Sequence, residues 1–224
     1  DGRVFAKRAG WAVVAFYFLI AIEFIYMTTP FAAYFYGVYA PALSLFDRLP
    51  GLQWLPQFFM PHVVNETRSP LVNIHNQVGL AFFCVGLLGF VAGAIQVYWA
   101  KLRKKGAVIG GLYRFIRHPQ YSAFILWALG LLLLWPRYIA LVFFITMVFA
   151  YSLLARVEEA ECRRKFGRSY ADYAERTGRF LPRVLERLFR LPPLPRSRLG
   201  GVPIFVLVYV CCLAGGMGIA YAVK

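Results

Sequence analysis

The chain has 224 residues, of which 60% are hydrophobic and only 16% are charged, and its formal net charge is +15. Soluble domains are typically about 45–50% apolar and about 25% charged. The composition therefore excludes a disordered tail, a collagen-like rod and an ordinary soluble enzyme, and it predicts an integral membrane protein. We expect membrane lipids rather than nucleic acid as partners of the basic residues, because their positions follow a membrane topology.

Four apolar stretches are long enough for a membrane-spanning helix, which needs about 20 residues. In chain order they are residues 11–29, 78–100, 121–155 and 202–223. The third is too long for one span, and Trp135-Pro136-Arg137-Tyr138 interrupts it with residues typical of an interfacial turn. This predicts a tight helical hairpin, with one arm ending near Leu134 and the other starting near Ile139. The predicted fold class is all-α, a polytopic membrane protein with about five transmembrane helices.

The charges between the spans predict the orientation, since cytoplasmic loops are rich in Lys and Arg. Residues 101–118 carry six basic and no acidic residues, and residues 156–198 carry twelve basic and six acidic residues. Residues 30–76 carry two of each sign. Five spans with the N-terminus inside place both basic segments on the cytoplasmic side. We expect a multi-pass protein of a bacterial inner membrane, with its C-terminus outside.

Three regions follow from this pattern: 1–76, a first transmembrane helix and a long outer aromatic loop; 77–182, a membrane core; and 183–224, a proline-rich linker and a C-terminal helix. The loop, residues 30–76, opens with aromatic residues that include Phe31 and Tyr34. It predicts an interfacial helix or re-entrant segment, with a lid or partner surface as the alternative. Residues 191–201 contain three prolines and two glycines, which predicts the linker. Glu23 falls inside the first span, where we expect pairing with protein groups.

Polar residues concentrate at the two ends of the hairpin, in residues 111–121 and 156–176. We expect the hairpin to bring these ends together, so that Arg117 and His118 face the acidic pair Glu158 and Glu159 at one membrane surface. The second segment predicts a cytosolic amphipathic helix. On a helix, five of its residues form one stripe: Glu159, Arg163, Phe166, Tyr170 and Tyr173.

This stripe has two interpretations. It could line a cleft for a ligand with a cationic centre and a flat ring, because carboxylates and aromatic faces both attract cations. S-adenosylmethionine, with its sulfonium, amino acid and adenine parts, is such a ligand. Alternatively, Arg and Glu pairs lace an amphipathic helix that lies on anionic lipid.

Four short motifs occur in order: RHPxY at 117–121, EE at 158–159, FGxxYxxY at 166–173 and RFLP at 179–182. Together with the hairpin between them, they resemble the isoprenylcysteine carboxyl methyltransferase family of integral membrane methyltransferases. Phospholipid N-methyltransferases and methanethiol S-methyltransferases are relatives of that family. The resemblance covers about residues 77–182. It implies a membrane-bound methyltransferase that takes S-adenosylmethionine at the cytosolic surface and acts on a hydrophobic small-molecule or lipidated acceptor.

The resemblance also implies roles for single residues. The positions implied to bind the cofactor are Arg117, His118, Pro119, Tyr121, Glu158, Tyr170 and Tyr173. Arg176 matches an arginine implicated in catalysis in the family, and we expect it to orient a carboxylate or thiolate acceptor. Glu159 is expected to take the proton if the acceptor is an amine. Arg179 is expected to contact lipid phosphate or backbone carbonyls instead, and no metal site is expected.

A second interpretation belongs to another class of function. The chain could be a non-catalytic structural or assembly subunit of a larger membrane complex, built on the same fold. It would dock through the first helix, the outer loop and the last helix. An open pocket beside His118, Glu159 and Tyr173 would favour the enzyme, and a filled one the subunit.

Overall fold

A computed structural model describes residues 2–39, 48–51, 74–103, 110–188 and 201–223. Every regular element in these ranges is helical: α1 (Gly2–Tyr39), α2 (Ile74–Leu102), a 3-10 helix (Gly111–Arg114), α3 (Pro119–Leu134), α4 (Tyr138–Arg176), α5 (Arg183–Leu188) and α6 (Gly201–Val223). The all-α prediction is confirmed. Most of the predicted outer loop, and residues 191–200 of the predicted linker, lie outside the described residues.

Within the described residues, four helical segments are long and apolar enough to cross a membrane: Tyr17–Gly37, Ile74–Leu102, Tyr138–Arg176 and Pro203–Ala222. The chain is therefore a multi-pass membrane protein. α3 is also apolar, but its 16 residues rise only about 24 Å, which is less than the roughly 30 Å of the hydrocarbon core. It is the short arm of the predicted hairpin, which turns between Leu134 and Tyr138. The apolar part of α4 ends near Ala155, and all of its charged residues follow, which favours a position outside the hydrocarbon core for the remainder.

The first helix continues further along the chain than the sequence predicted, and the outer loop begins later. α1 continues through Pro30, although proline inside a helix removes one backbone hydrogen bond. Phe31 and Tyr34, expected in the loop, are buried core residues. The Phe31 ring stacks on Trp127 at 4.4 Å between centroids, and the Tyr34 hydroxyl donates to the carbonyl of Ala128 at 2.9 Å. These contacts with α3 stabilise the helix beyond the proline.

α2 and α3 pack with their backbones in close contact. Gly79, Gly86 and Gly93 recur every seven residues of α2 and are its buried residues in the described structure. Gly86 lies against the backbone of Trp127, and Gly93 lies against the side chain of Gln120. Small residues allow this approach, which is the usual basis of helix association in a membrane. The pair holds the N-terminus of α3 at a fixed height beside α2.

Glu23 connects α1 to the end of α2. Its carboxylate forms an ion pair with the ammonium of Lys101, which lies in the last turn of α2. The expected structural pairing of Glu23 is therefore confirmed.

Candidate active site

The two ends of the hairpin are joined by backbone hydrogen bonds. We call residues 115–118 and 178–180 the clasp, since the two segments run side by side and form an isolated parallel bridge. The amide of Arg117 donates to the carbonyl of Gly178 at 2.8 Å, and the amide of His118 donates to the second segment at 3.1 Å. The expectation that the hairpin brings its polar ends together is confirmed.

Glu159 is the centre of a charge cluster at the clasp, and its residue is only 3% exposed. Its Oε1 accepts hydrogen bonds from Nε of Arg117 at 2.9 Å and from Nε of Arg179 at 3.0 Å. Its Oε2 accepts a third from Nη2 of Arg179 at 2.7 Å. Nε2 of His118 lies 3.4 Å from Oε1, at ion-pair distance. Two guanidinium groups thus compensate a carboxylate that would be costly to bury alone.

The pKa of Glu159 lies well below its usual range. Burial by itself raises it, but the His118 ring and the guanidinium groups of Arg179 and Arg117 outweigh burial and stabilise the charged form. A carboxylate with so low a pKa is a weak base. Its surroundings therefore suit a positioning group better than the proton acceptor that the sequence suggested.

Arg117 also closes the end of α4. Its Nη1 donates to the carbonyl of Ala174 at 2.6 Å and to the carbonyl of Thr177. The last carbonyls of a helix lack partners within the helix and carry partial negative charge. One guanidinium therefore satisfies the helix terminus and neutralises Glu159, which explains why the clasp and α4 form one unit.

Glu158 faces outward beside an aromatic pair. Its side chain is 42% exposed. Oε1 accepts a hydrogen bond from the Tyr121 hydroxyl at 2.5 Å, and Oε2 lies 3.3 Å from Nδ1 of His118. The His118 ring stacks parallel to the Tyr121 ring at 5.4 Å between centroids. An accessible carboxylate next to two aromatic faces is a suitable environment for a cation.

The pKa of His118 is raised from its usual 6.5. Burial lowers it, but the nearby carboxylates of Glu158 and Glu159 together have the larger effect. The buried Nε2 atom has no hydrogen-bond partner with good geometry among the described residues. One ring nitrogen of His118 therefore lies near each carboxylate. The hydrogen-bonding capacity of Nε2 is not satisfied by the described residues.

The remaining predicted cofactor residues lie around the same cluster. Pro119 is the first residue of α3, where its missing N–H is not needed. Tyr170 is buried, and its ring centroid lies 5.8 Å from that of Tyr173. The Tyr173 hydroxyl donates to the carbonyl of Tyr113 at 2.6 Å, which holds the end of α4 against the 3-10 helix.

The predicted stripe on α4 is wrong in part. Gly167 has φ 53° and ψ −127°, which is not helical, so the helix is kinked there. Residues before and after the kink do not keep the same helical register. Arg163 and Phe166 point outward and are exposed, whereas Glu159 and Tyr170 are buried. The kink separates Tyr170 and Tyr173 from the stripe predicted for one straight helix, and glycine accepts its positive φ without strain. It does not account for the exposure of Arg163 and Phe166, which precede it.

The positions of the two arginines near the end of α4 also differ from the prediction. Arg176, expected to extend the stripe toward Glu159, is exposed. Arg179, expected to contact lipid or backbone, makes the two-pronged pair with Glu159. The predicted placement of these arginines is therefore wrong. The helix ends at Arg176, and the extended clasp turns Arg179 back into the cluster.

Glu186 is a residue that the sequence reasoning missed. It lies on α5, and its Oε1 accepts hydrogen bonds from the amides of Arg179 at 2.5 Å, Phe180 at 2.9 Å and Leu181 at 3.4 Å. One carboxylate thus fixes the segment that carries Arg179. The sequence feature that could have indicated this role is an acidic residue in the first turn of a short helix that directly follows a proline.

A cavity of about 240 Å³ adjoins the cluster. Its lining is mostly polar and consists of Arg117, Ala174, Thr177, Arg183 and Glu186. It does not include His118, Glu159 or Tyr173, the residues expected to bound the pocket. Ligand pockets usually measure about 300–1,000 Å³, so this cavity matches only part of a cofactor.

Known proteins resemble the central part of this chain. The model of the isoprenylcysteine carboxyl methyltransferase (ICMT) family matches residues 89–163. This segment contains the first half of the clasp, the whole hairpin and the Glu158–Glu159 pair. The central segment is ICMT-like. Tyr170, Tyr173 and the second half of the clasp lie beyond the matched residues.

Curated proteins similar to this ICMT-like chain come from fungi and plants. Protein-S-isoprenylcysteine O-methyltransferase of Schizosaccharomyces pombe is 28% identical over 137 residues, which cover 54% of this chain and 58% of that protein. Protein-S-isoprenylcysteine O-methyltransferase B of Arabidopsis thaliana is 31% identical over 98 residues, 42% of this chain and 49% of that protein. The chain thus spans about half the length of these relatives. No solved structure matches it significantly.

Proposed function

We propose that the chain is a membrane methyltransferase that uses S-adenosylmethionine and acts on a hydrophobic or membrane-located acceptor with a carboxylate, thiol or amine. The observation that carries this proposal is the fixed position of Glu158, His118 and Tyr121 at the end of the hairpin. The buried cluster around Glu159 holds them there. The ICMT-like match over the same segment supports it.

The donor set suits the cationic parts of S-adenosylmethionine. Glu158 supplies an accessible carboxylate, and His118 and Tyr121 supply stacked rings beside it. Pro119 fixes the turn that presents these rings, and Tyr170 and Tyr173 are proposed to close the opposite side. When bound, the cofactor supplies a methyl group on a sulfonium, which an acceptor displaces in line.

The protein's own contribution is positioning. The Glu159 cluster keeps Arg117 and Arg179 in place, and the apolar helices exclude water from the acceptor side. We propose Glu159 and Arg179 as the positioning pair. Arg176, which is exposed, is proposed to meet the acceptor or lipid at the rim of the site.

A calorimetric titration with S-adenosylhomocysteine tests the proposal on the purified full chain. We expect the wild type to bind and Glu158→Gln to weaken binding at least tenfold, because the neutral amide does not attract a cation. The matched control is Glu161→Gln, which changes an exposed acid on the same helix that pairs with Lys165. No binding by folded wild-type protein, or equal loss in the control, would contradict the cofactor site.

One observation favours the alternative of a non-catalytic subunit in a membrane complex. Both oxygens of Glu159 are satisfied internally, and the adjoining cavity is small. A site that needs no ligand for its charges fits a structural role. The same titration separates the two proposals, since a structural subunit gives no heat of binding while it remains folded.

We also propose the orientation predicted from the sequence, with the N-terminus in the cytoplasm of a bacterial cell and the C-terminus outside. The two strongly basic segments, residues 101–118 and 156–198, support it. Reporter fusions after Lys105 and after Lys224 are expected on opposite sides of the membrane. Finding both reporters on one side would contradict it.

A further inference from the structure

An apolar groove of about 810 Å³ lies between α2 and the 3-10 helix, outside the charge cluster. Its lining shares a mostly apolar character and consists of Ala92, Ile95, Gln96, Trp99, Gly111, Leu112 and Phe115. Ile95, Trp99 and Phe115 are each more than half exposed. The groove therefore presents a continuous apolar surface near the end of a membrane-spanning helix.

Gln96 holds the far wall of the groove in place. Its Nε2 donates to the carbonyl of Gly110 at 2.6 Å, and its Oε1 accepts from the amide of Leu112 at 3.3 Å. Gly111 has φ +59°, and a Cβ there would lie 2.0 Å from Nε2 of Gln96. One polar side chain, that of Gln96, thus anchors the turn of the 3-10 helix that forms this wall.

Two exposed arginines belong to the segments that form the groove or adjoin it. The Arg103 guanidinium stacks over the Trp99 ring at 4.4 Å, and Arg114 is exposed on the 3-10 helix. Neither forms an ion pair within the described part of the chain, whereas Lys101 is occupied by Glu23. Residues 101–118 hold six basic and no acidic residues. Among the described residues, therefore, no carboxylate pairs with the two arginines at the mouth of the groove.

We propose that the groove binds one phospholipid with an anionic headgroup, from the leaflet that faces the basic segments. The apolar lining takes an acyl chain, and Arg103 and Arg114 face the headgroup. Trp99 lies between the apolar lining and the two arginines. Tryptophan is enriched at membrane–water interfaces, where apolar and charged surroundings meet in this way. Basic residues near a membrane surface attract anionic lipids. Lipid binding in this groove does not require methyl transfer.

The bound lipid would also support the candidate active site. Phe115 lines the groove with its side chain, and its carbonyl accepts the amide of Gly178 in the clasp at 3.3 Å. An acyl chain packed on Phe115 therefore restrains the first half of the clasp. The site and the groove are separate, but they share this one residue.

Native mass spectrometry of the full chain in detergent tests the proposal, with phosphatidylglycerol and phosphatidylcholine added at equal concentration. We expect one phosphatidylglycerol to be retained preferentially by the wild type. Arg103→Gln is expected to lower that preference about fivefold, and Ala92→Trp, which fills the groove, is expected to abolish retention of the lipid. Arg168→Gln, which changes an exposed arginine at the kink of α4, is the matched control.

Two results would overturn the proposal. Equal retention of the two lipids by the wild type removes the charge argument. Unchanged retention in both Arg103→Gln and Ala92→Trp places the lipid elsewhere. Binding of S-adenosylhomocysteine, measured on the same samples, reports separately on the methyltransferase proposal. Arg103→Gln is a surface change, so it keeps the test decisive if the larger tryptophan prevents folding.

Discussion

Replacing Gly86 by alanine tests the packing that sets the height of α3. A Cβ at this position would lie 2.5 Å from the amide nitrogen and 2.7 Å from the Cα of Trp127, and 2.8 Å from the carbonyl oxygen of Ala123. All three are backbone atoms of α3, which no side-chain rotation moves. The two helices must separate to admit one methyl group.

The magnitude follows from two opposing effects. Overpacking a close interface costs about 1–3 kcal/mol, and alanine gains up to about 1 kcal/mol over glycine inside a helix. We expect Gly86→Ala to destabilise the folded state by about 1–2 kcal/mol. Gly89→Ala is the matched control one turn away, because its Cβ would lie 3.5 Å from the Cβ of Ala123, an ordinary contact. Gly89→Ala is therefore expected to show only the gain in helix propensity, without the overpacking.

The assay is thermal unfolding of the two variants in one detergent, beside the wild type. The melting temperature is expected to fall for Gly86→Ala and to stay level or rise for Gly89→Ala. The opposite signs matter more than the size of either shift, since detergent affects both variants equally. A rise for both variants would refute the close backbone contact between α2 and α3.

Three further predictions concern the clasp and its charges. Glu186→Ala should speed hydrogen exchange at least tenfold at the three amides that begin at Arg179, because a charged acceptor contributes about 1.5–3 kcal/mol per bond; unchanged exchange would contradict this. Arg179→Lys should lower the melting temperature, since a single ammonium lacks the guanidinium fork, whereas the exposed Arg176→Lys should not; equal effects would count against the two-pronged pair. His118 has a raised pKa, so its contribution to stability is full below pH 6.5 and is lost as pH rises through its folded pKa. Melting temperatures across pH 6–9 should therefore fall in the wild type and change less in Glu158→Gln, and a flat wild-type profile would contradict the paired histidine.

The hairpin and its polar ends could be predicted from the sequence because local signals were sufficient. Trp135-Pro136-Arg137-Tyr138 places a proline and a charge between two apolar stretches, and these residues have few alternatives to an interfacial turn. Once the turn is fixed, Arg117 and His118 must return to the level of Glu158. The connectivity of the hairpin alone therefore brings these polar residues together.

The remaining features depend on contacts that a sequence does not display. Pro30 reads as a helix end, but Phe31 and Tyr34 find partners on α3 that outweigh it. Gly167 reads as a helical residue within a motif, yet its positive φ breaks the register between Glu159 and the end of the helix. Periodicity could therefore place Glu159 in the cluster but could not choose between the two arginines that follow.

The parallel bridge between Ile116 and Gly178 has a consequence for biosynthesis. Its two sides are separated by both arms of the hairpin, so a growing chain emerges with the first side long before the second. Until residues 178–180 have been synthesised, the amides of Arg117 and His118 lack their backbone acceptors, and Glu159 lacks the Arg179 guanidinium. The clasp can therefore close only after both arms of the hairpin have been made, so its hydrogen bonds mark the completion of this part of the chain.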